Sequence, residues 1–533
     1  MTEFSWSDEQ LDYFKALQVA INSDSPQLLK ISAVAGASKS SSTVEAVKRV
    51  HRENPKLSIR YLVFNTAMAA EAKTAFGHTA IASTLHALAY YYTVKPYRLN
   101  PDIAPWLTWK DIPQNIKVPY GSLPLILQTL TNYFESGYTD FPSFISNEVD
   151  NPEWTMTVYM AANLILDAMA TGKMRITHAF YLKLFHILVK LGQIKLKPED
   201  ILIVDECQDL NLITLDIFHA YPAKVKVIIG DQAQSIYSFM GCVSAFDFYK
   251  NQGTTYHLST SFRVSTHIAQ TVEQFCKLHI SEDMNFKGID YPKEDIKTHA
   301  HIFRTNLSMI RQMIRFNKAR VPYKLVTKQK VKQLFELPLA LIYATPGHTQ
   351  FSENLKVIQH TIDQWGKLPE HSRPNKLVYL SEQLKEVPAI DQAIKFIMAV
   401  GAPEVVEAYQ HAEEHMKTHS NTYLMTAHTS KGLTFDEATL DDSMNEAIKD
   451  ILNVPVEERT AEAQSEIFLY YVACSRARFK LNNADYLPKQ GVDYFKERAR
   501  VNDYTLDPMF NRTVDEELDE FFDQINRNEE VEI

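Results

Sequence analysis

The stretch that most constrains this chain is ILIVDECQD, residues 201–209. Ile201, Leu202, Ile203 and Val204 leave no polar face, which is the pattern of a parallel strand covered on both sides. Such a strand delivers its next residues to the carboxyl edge of the sheet, where open α/β folds keep their crevice. Asp205 and Glu206 are therefore expected at that crevice. There the first acid can hold Mg²⁺, directly or through water, and the second can polarise an attacking water. Taken alone, the same stretch also describes a buried strand ending in a polar turn.

At 533 residues the chain exceeds what one core can hold and calls for about three or four compact units. The net charge of -10 argues against a polyanion as partner until its distribution is considered: residues 513–533 carry nine acids against a single arginine, Arg527. The remainder is close to neutral, so a local basic channel is permitted. Cys207, Cys242, Cys276 and Cys474 form no CxxC pair, which points to a reducing compartment and away from a structural zinc or iron–sulfur centre. The opening MTEFSWSDEQ has acids where a signal peptide needs positive charge, and no run of about 18 apolar residues occurs, so neither secretion nor a membrane span is expected.

Other segments repeat the strand-then-crevice arrangement. Near the start, Ser7 is a plausible N-cap for a helix with Gln10 on its first turn, a position that alone reads as solvated. LLKISAV then leads into AVAGASKSSSTVEAVKRV, the order of a strand, a phosphate loop and a helix. A phosphate loop needs glycines so that backbone N–H groups can close around the anion, then a lysine for charge and a hydroxyl for Mg²⁺. Against GxxxxGK[ST], residues 33–40 keep Lys39 and Ser40 but put Ala33 and Ser38 at the two glycine positions. A small-residue turn before an ordinary helix fits as well. SIRYLVFNTAMAAEAKTAF and TAIASTLHALAYYY place Phe64, Asn65, Thr84 and His86 at further strand ends on the same edge, where loop residues and core aromatics are the plain alternative.

Residues 90–175 have helical periodicity broken by prolines and read as an inserted helical subdomain. After ILIVDECQD comes a second buried strand, VKVIIGD, then QAQSIYSFMG, which puts Gln234, Tyr237 and Phe239 in a polar, aromatic loop. SFRVSTHIAQTVEQF places Phe262 and Arg263 at a helix start, and a forked, permanently charged arginine suits a γ-phosphate. HAHIFRTN and VPYKLV read as strands and KQLFELPLALIYA as a helix. Residues 346–418 are polar and helical, a second and smaller insertion. YLMTAHTSKGLTFDEATL reads as strand, loop and strand, with His428, Lys431 and Gly432 in the loop. FLYYVACSRARFKL ends the block with Arg476 and Arg478 after an apolar run.

Together and in this order, these pieces resemble the motif set of UvrD/Rep-type superfamily-one DNA helicases. YLVFNTAMAAEAKTAF, STLHALAY, ITHAFYLKLF and YYVACSRAR resemble the F-box DNA helicase branch in particular. The likeness runs over residues 4–481. No F-box precedes residue 4, so a ubiquitin-ligase role is not expected. The resemblance implies an α/β fold of two RecA-like parallel-sheet domains, each with a mainly helical insertion. Residues 1–89 and 176–257 would form the ATP-binding domain, with 90–175 inserted. Residues 258–345 and 419–500 would form the second, with the reduced insertion 346–418, and 501–533 an acidic tail.

The same resemblance implies roles. Gln10 would hydrogen-bond adenine and Phe262 would stack on it. Lys39 would hold the β- and γ-phosphates of ATP, Ser40 and Asp205 would hold Mg²⁺, and Glu206 would be the general base. Gln234, Arg263 and Arg476 would reach the γ-phosphate. Gly36, Ala37, Ser38, Ser41 and Gly432 would complete the nucleotide-binding set. Phe64, Asn65, Thr84, His86, Tyr237, Phe239 and His428 match positions that touch single-stranded DNA, where stacking grips any base. The implied activity is 3′-to-5′ ATP-driven translocation on single-stranded DNA and unwinding of forks by a monomer. It would serve replication, recombination or repair, with no membrane partner, in the cytoplasm. The acidic tail would dock a replication or recombination protein or fold back over the DNA channel.

Three positions depart from the family pattern. Ser38 stands where a glycine precedes the lysine, Met240 where an arginine follows the motif aromatic, and Thr434 where GLEF has its glutamate. Ser38 bears on ATPase rate more than on fold and motivates an alternative, a DNA-binding scaffold on a helicase fold with weak or no ATPase. Retention of Lys39, Asp205, Glu206, Arg263 and Arg476 together argues for the motor. An RNA helicase or an ATPase acting on protein would share the engine and differ in its track.

Overall fold

The computed structural model describes residues 6–119, 121–236, 242–290, 296–347 and 355–488. Two parallel sheets organise them. The first has six strands in the order Ile81–Thr84, Ile59–Val63, Glu199–Val204, Ala223–Gly230, Gln27–Ala33 and Thr254–Leu258. The second has five, Lys324–Leu325, Thr422–Thr426, His299–Phe303, Phe435–Leu440 and Ala477–Asn482. The fold is α/β, with parallel-strand sheets and many helices, consistent with RecA-like domains.

The apolar run at 201–204 explains itself in this arrangement. Ile201 and Ile203 join one core together with Val225, Val227 and Ile229. Leu202 and Val204 join the opposite core with Ile228 and with residues of the helices Leu123–Glu135, Met156–Ala170 and His178–Lys190. Side chains alternate across a strand, so a strand with a helical layer on each side has no position left for a polar residue.

The first of these cores does not stop at the first sheet. It continues through the helix Ala461–Cys474 to Ala300, Ile302, Met425, Ala438 and Leu440 of the second sheet. The far face of the second sheet, through Phe303 and Leu424, is covered by a third core. That core takes in the helices Asn306–Ala319, Lys356–Gly366, Lys376–Leu384, Pro388–Val400 and Ala402–Lys417. Among the described residues no helix is long and apolar enough to cross a membrane.

Two local expectations need correction. KQLFELPLALIYA forms two helices, Val331–Leu334 and Glu336–Tyr343, with Phe335 between them. Phe262 and Arg263 lie on a strand, Thr260–Ser265, and the helix starts only at Thr266. The extended backbone there is held from two directions. It pairs in parallel with Lys287–Ile289, and the Phe262 N–H donates to the Gly36 carbonyl at 2.9 Å. Neither partner is local, so both outweigh the helical pattern that follows.

Ile203 is fully buried in the middle of the first sheet, whereas Ile81 on its edge strand is 58% exposed. Ile203→Ala is expected to destabilise by about 2–5 kcal/mol and Ile81→Ala by less than about 0.5 kcal/mol, read as the fall in thermal unfolding midpoint of each variant.

Candidate functional site

The carboxyl ends of the first sheet's central strands open into a cavity of about 520 Å³. From the first-sheet side it is lined by Gly36, Ala37, Ser38, Lys39, Ser40, Ser41, Phe64, Asn65, Glu206, Asp209 and Gln234. Arg263, Lys328, Lys431, Gly432 and Arg476 close it from the other side.

The loop between the strand Gln27–Ala33 and the helix Lys39–Glu53 makes its turn with two left-handed residues, Gly36 at φ 77° and Ser38 at φ 58°. A Cβ on Gly36 would stand 2.6 Å from Arg263 Cβ and 2.7 Å from Ser261 Oγ, so glycine is required there by space as well as by φ. The helix then begins at Lys39 with its N-terminal amides toward the cavity edge, the arrangement that favours an anion.

Charge is concentrated where the strand 199–204 ends. Lys39 Nζ lies 3.2 Å from Glu206 Oε2. Ser40 Oγ donates to Asp205 Oδ2 at 3.5 Å, and the Tyr61 hydroxyl donates to the same oxygen. The Glu206 N–H donates to Asp205 Oδ1 at 2.8 Å, and Glu206 itself is left-handed at φ 51°. Burial, and then the neighbouring Glu206, push the Asp205 carboxyl up. Burial works the same way on Glu206, but Lys39 and Lys431 override it and hold that carboxyl at about 2. Burial opposes the Lys39 ammonium too, yet Glu206, Asp205 and Asp231 keep it above the usual lysine range.

These groups fit a nucleotide with its divalent cation. A hydroxyl and a carboxylate 3.5 Å apart, Ser40 and Asp205, are the hard oxygen donors that Mg²⁺ takes from a protein when phosphates supply the rest. The raised proton affinity of Asp205 is the state that a bound cation would reverse.

Other expected residues are placed as follows. Gln10 is not solvated: it is buried, its Oε1 accepts from the Ser7 N–H at 2.9 Å, and its Nε2 donates to Ser42 Oγ at 2.8 Å. It is bonded to the helix Lys39–Glu53 through Ser42 and is not among the residues lining the cavity. Gln234 lines the cavity while its Nε2 donates to Asp231 Oδ2 at 2.6 Å. Arg476 is wholly buried and bonded to the carbonyls of Val472 at 2.8 Å and Leu433 at 3.3 Å. Burial, with Arg263 nearby, pushes its guanidinium well below the ordinary arginine range. Asn65 and Thr84 cap helices, accepting from the N–H groups of Met68 at 2.9 Å and Ala87 at 3.0 Å. Phe64 is half exposed beside Asn65. His86 stands edge-on to His178 and Tyr181. Burial and then Arg304 lower His428 to about 4, so its ring is neutral at neutral pH. Tyr237, Phe239, Met240 and the acidic tail lie outside the described residues.

A family model described as an AAA domain matches residues 16–240. The F-box DNA helicase 1 of Gallus gallus is 27% identical over 284 residues, covering 47% of this chain and 26% of that protein. The F-box DNA helicase protein 1 of Schizosaccharomyces pombe is 25% identical over 527 residues, covering 87% of this chain and 56% of that protein. The chain is thus similar to two proteins named DNA helicases. It spans about half the length, or less, of these curated relatives.

Within this cavity the structure adds groups that sequence reasoning left without a role. Gln208 Nε2 donates to Glu206 Oε2 at 2.6 Å, and its Oε1 accepts from the Asp231 N–H at 3.1 Å. Lys431 bonds Asp209 and donates to the Gln234 carbonyl at 2.9 Å. Burial, against the pull of Lys431, raises Asp209 to about 6. Gln208 and Asp209 follow the two acids with only Cys207 between, and Asp231 comes directly after the strand Ala223–Gly230, so position could have pointed to all three. Tyr61 sits inside an apolar run and carries no such signal.

Ser38 sits in the left-handed region that glycine adopts freely. A side chain in the left-handed region costs about 1–2 kcal/mol, and glycine returns about 0.5–1 kcal/mol of that through unfolded-chain entropy. Ser38→Gly is therefore expected to stabilise by about 0.5–1 kcal/mol, measured as a rise in thermal midpoint; a fall would mean that the hydroxyl holds the loop.

Proposed function

We propose that this chain is an ATP-driven translocase that moves 3′ to 5′ on single-stranded DNA and unwinds forks as a monomer. The observation that carries the proposal is the meeting of Lys39, Ser40, Asp205 and Glu206 at one cavity edge, with Gln234, Arg263 and Arg476 in the walls around them. The names of the two relatives, both called DNA helicases, support DNA as the track. The proposed division takes residues 1–89 and 176–257 as the ATP-binding domain and 258–345 and 419–500 as the second, with helical insertions at 90–175 and 346–418.

Each residue then has a task. The Lys39 ammonium is charged at all working pH and would bind the β- and γ-phosphates, which compete for it with Glu206. Released from that ion pair, Glu206 Oε2 would accept a hydrogen bond from the attacking water and then its proton. A Mg²⁺ held by Ser40 and Asp205 would supply charge stabilisation for the developing phosphoryl transition state. Arg263 and Arg476, on the opposite wall, would approach the γ-phosphate. For Arg476 this requires turning the guanidinium away from the Val472 and Leu433 carbonyls that now hold it. Phosphate occupancy would in this way be coupled to the relative position of the two sheets. Phe64, Asn65, Thr84, His86, Tyr237, Phe239 and His428 are the proposed DNA contacts, with the acidic tail left for a replication or recombination protein.

The deciding measurement is ATP hydrolysis with and without single-stranded DNA, on wild type and Lys39→Ala. Stimulated turnover that falls by about 10²-fold or more in the variant is expected, and forks with only a 3′ arm should then be unwound in preference to those with a 5′ arm. DNA binding without stimulated turnover in the wild type would replace the motor with a helicase-fold scaffold, the outcome toward which Ser38 leans.

A further inference from the structure

The helix Ala461–Cys474 contributes a second side chain to this region besides leading to Arg476. Tyr471 is fully buried, packed edge-on against Phe286 with ring centroids 5.9 Å apart. Its hydroxyl is bonded on both sides to elements of the first sheet. It accepts from the Ala35 N–H, inside the phosphate loop, at 3.0 Å and donates to Asp231 Oδ2 at 3.0 Å. Asp231 is in turn tied to Gln234 through the same oxygen, at 2.6 Å, and to Gln208 through its N–H, at 3.1 Å. Gln208 closes the path on Glu206 Oε2, at 2.6 Å. An unbroken hydrogen-bonded path thus runs from the phosphate loop through Tyr471 and Asp231 to Glu206, with Gln234 as a branch.

We infer that Tyr471 is a positioning residue for ATP hydrolysis, through which the helix leading to Arg476 sets the phosphate loop and, by way of Asp231 and Gln208, the orientation of Glu206. The inference rests on the hydrolase reading above. One atom, the phenolic oxygen, connects the second sheet's helix to both phosphate-facing segments of the first sheet. The chain offers it no solvent to fall back on, so the bonds hold only while helix and loop keep this relative position. Arg476 follows five residues later on the same helix-and-turn. Movement that carries Arg476 toward or away from the cavity therefore moves Tyr471 as well, and the water-activating side receives the same signal as the charge-stabilising side. Tyr471 touches neither nucleotide nor water in this scheme; it acts through the groups it holds.

The test is steady-state ATP hydrolysis at saturating single-stranded DNA by the full chain and by Tyr471→Phe, Asp231→Asn and the double variant, with thermal midpoints recorded. Tyr471→Phe keeps the ring against Phe286 and removes only the hydroxyl. A kcat lower by about ten-fold, with KM for ATP changed by less than about two-fold, is the expected result. The double variant is expected to lose no more than the worse single one, because both act on one path. Unchanged kcat in Tyr471→Phe, or losses that multiply in the double variant, would overturn the role of Tyr471 while leaving the hydrolase standing. Absence of turnover in the wild type would remove the hydrolase and this role with it. Should Tyr471→Phe not fold, Asp231→Asn alone must show the same kcat-selective loss, and a loss confined to KM would overturn the inference.

Discussion

The structure depends on keeping charged groups at the buried ends of neighbouring strands. Asp205, Glu206, Asp231 and Lys39 meet where apolar strands end, and burial alone would strip the charge from each of them. They are tolerated because each has a partner: Lys39 on Glu206, Ser40 and Tyr61 on Asp205, Tyr471 and Gln234 on Asp231. Removing one partner leaves another charge exposed to the low dielectric, which is why such clusters constrain far more sequence than they contain. The constraint reaches the backbone. A Cβ on Gly230 would lie 2.3 Å from Gln208 Oε1, so the strand that delivers Asp231 must end in glycine for Gln208 to fit.

A second consequence concerns the two sheets. One apolar core runs from the first sheet through the helix Ala461–Cys474 into the second. Tyr471 on that helix and Lys431, just after the short helix Ala427–Ser430, bond to groups of the first sheet's loops. The apolar contact is broad and non-directional, whereas the hydrogen bonds have one geometry. Sliding of one sheet on the other would cost the apolar contact little and the hydrogen bonds all they contribute. On the proposed translocase reading, small displacements at the cavity would thereby be converted into discrete states.

Much of the fold was legible because its strands are buried on both faces. Runs such as ILIV and VKVII can satisfy no other environment, and the acids behind them inherit their position. What escaped the sequence depends on partners far along the chain. Gln10 looks solvated on its own helix but is buried and bonded to Ser42, which lies 32 positions away. Phe262 and Arg263 precede a helical pattern but are held extended by Lys287–Ile289 and by the Gly36 carbonyl. Asn65 and Thr84 were expected at strand ends and do stand there, where each also caps the helix that follows. Tyr471 lies inside FLYYVAC, where it is indistinguishable from a core aromatic, and only the fold shows its hydroxyl between Ala35 and Asp231.

Strain falls at the same place as charge. Ser38 and Glu206 both adopt left-handed backbone, and both line the cavity. Neither has the amide or carboxamide side chain that eases that conformation, and glycine is the residue that adopts it freely. For Glu206 the geometry is enforced: its N–H is held by Asp205, its carboxylate by Lys39 and Gln208. A relaxed backbone would take the N–H from Asp205 and the carboxylate from Lys39 and Gln208. For Ser38 the enforcement comes from its neighbours, since the loop must turn within the short span from the Gly36 contact with the strand Thr260–Ser265 to the helix at Lys39. The backbone path is thus set by the elements on either side of it, and a serine can occupy the position because the surrounding fold, rather than the residue, determines the turn.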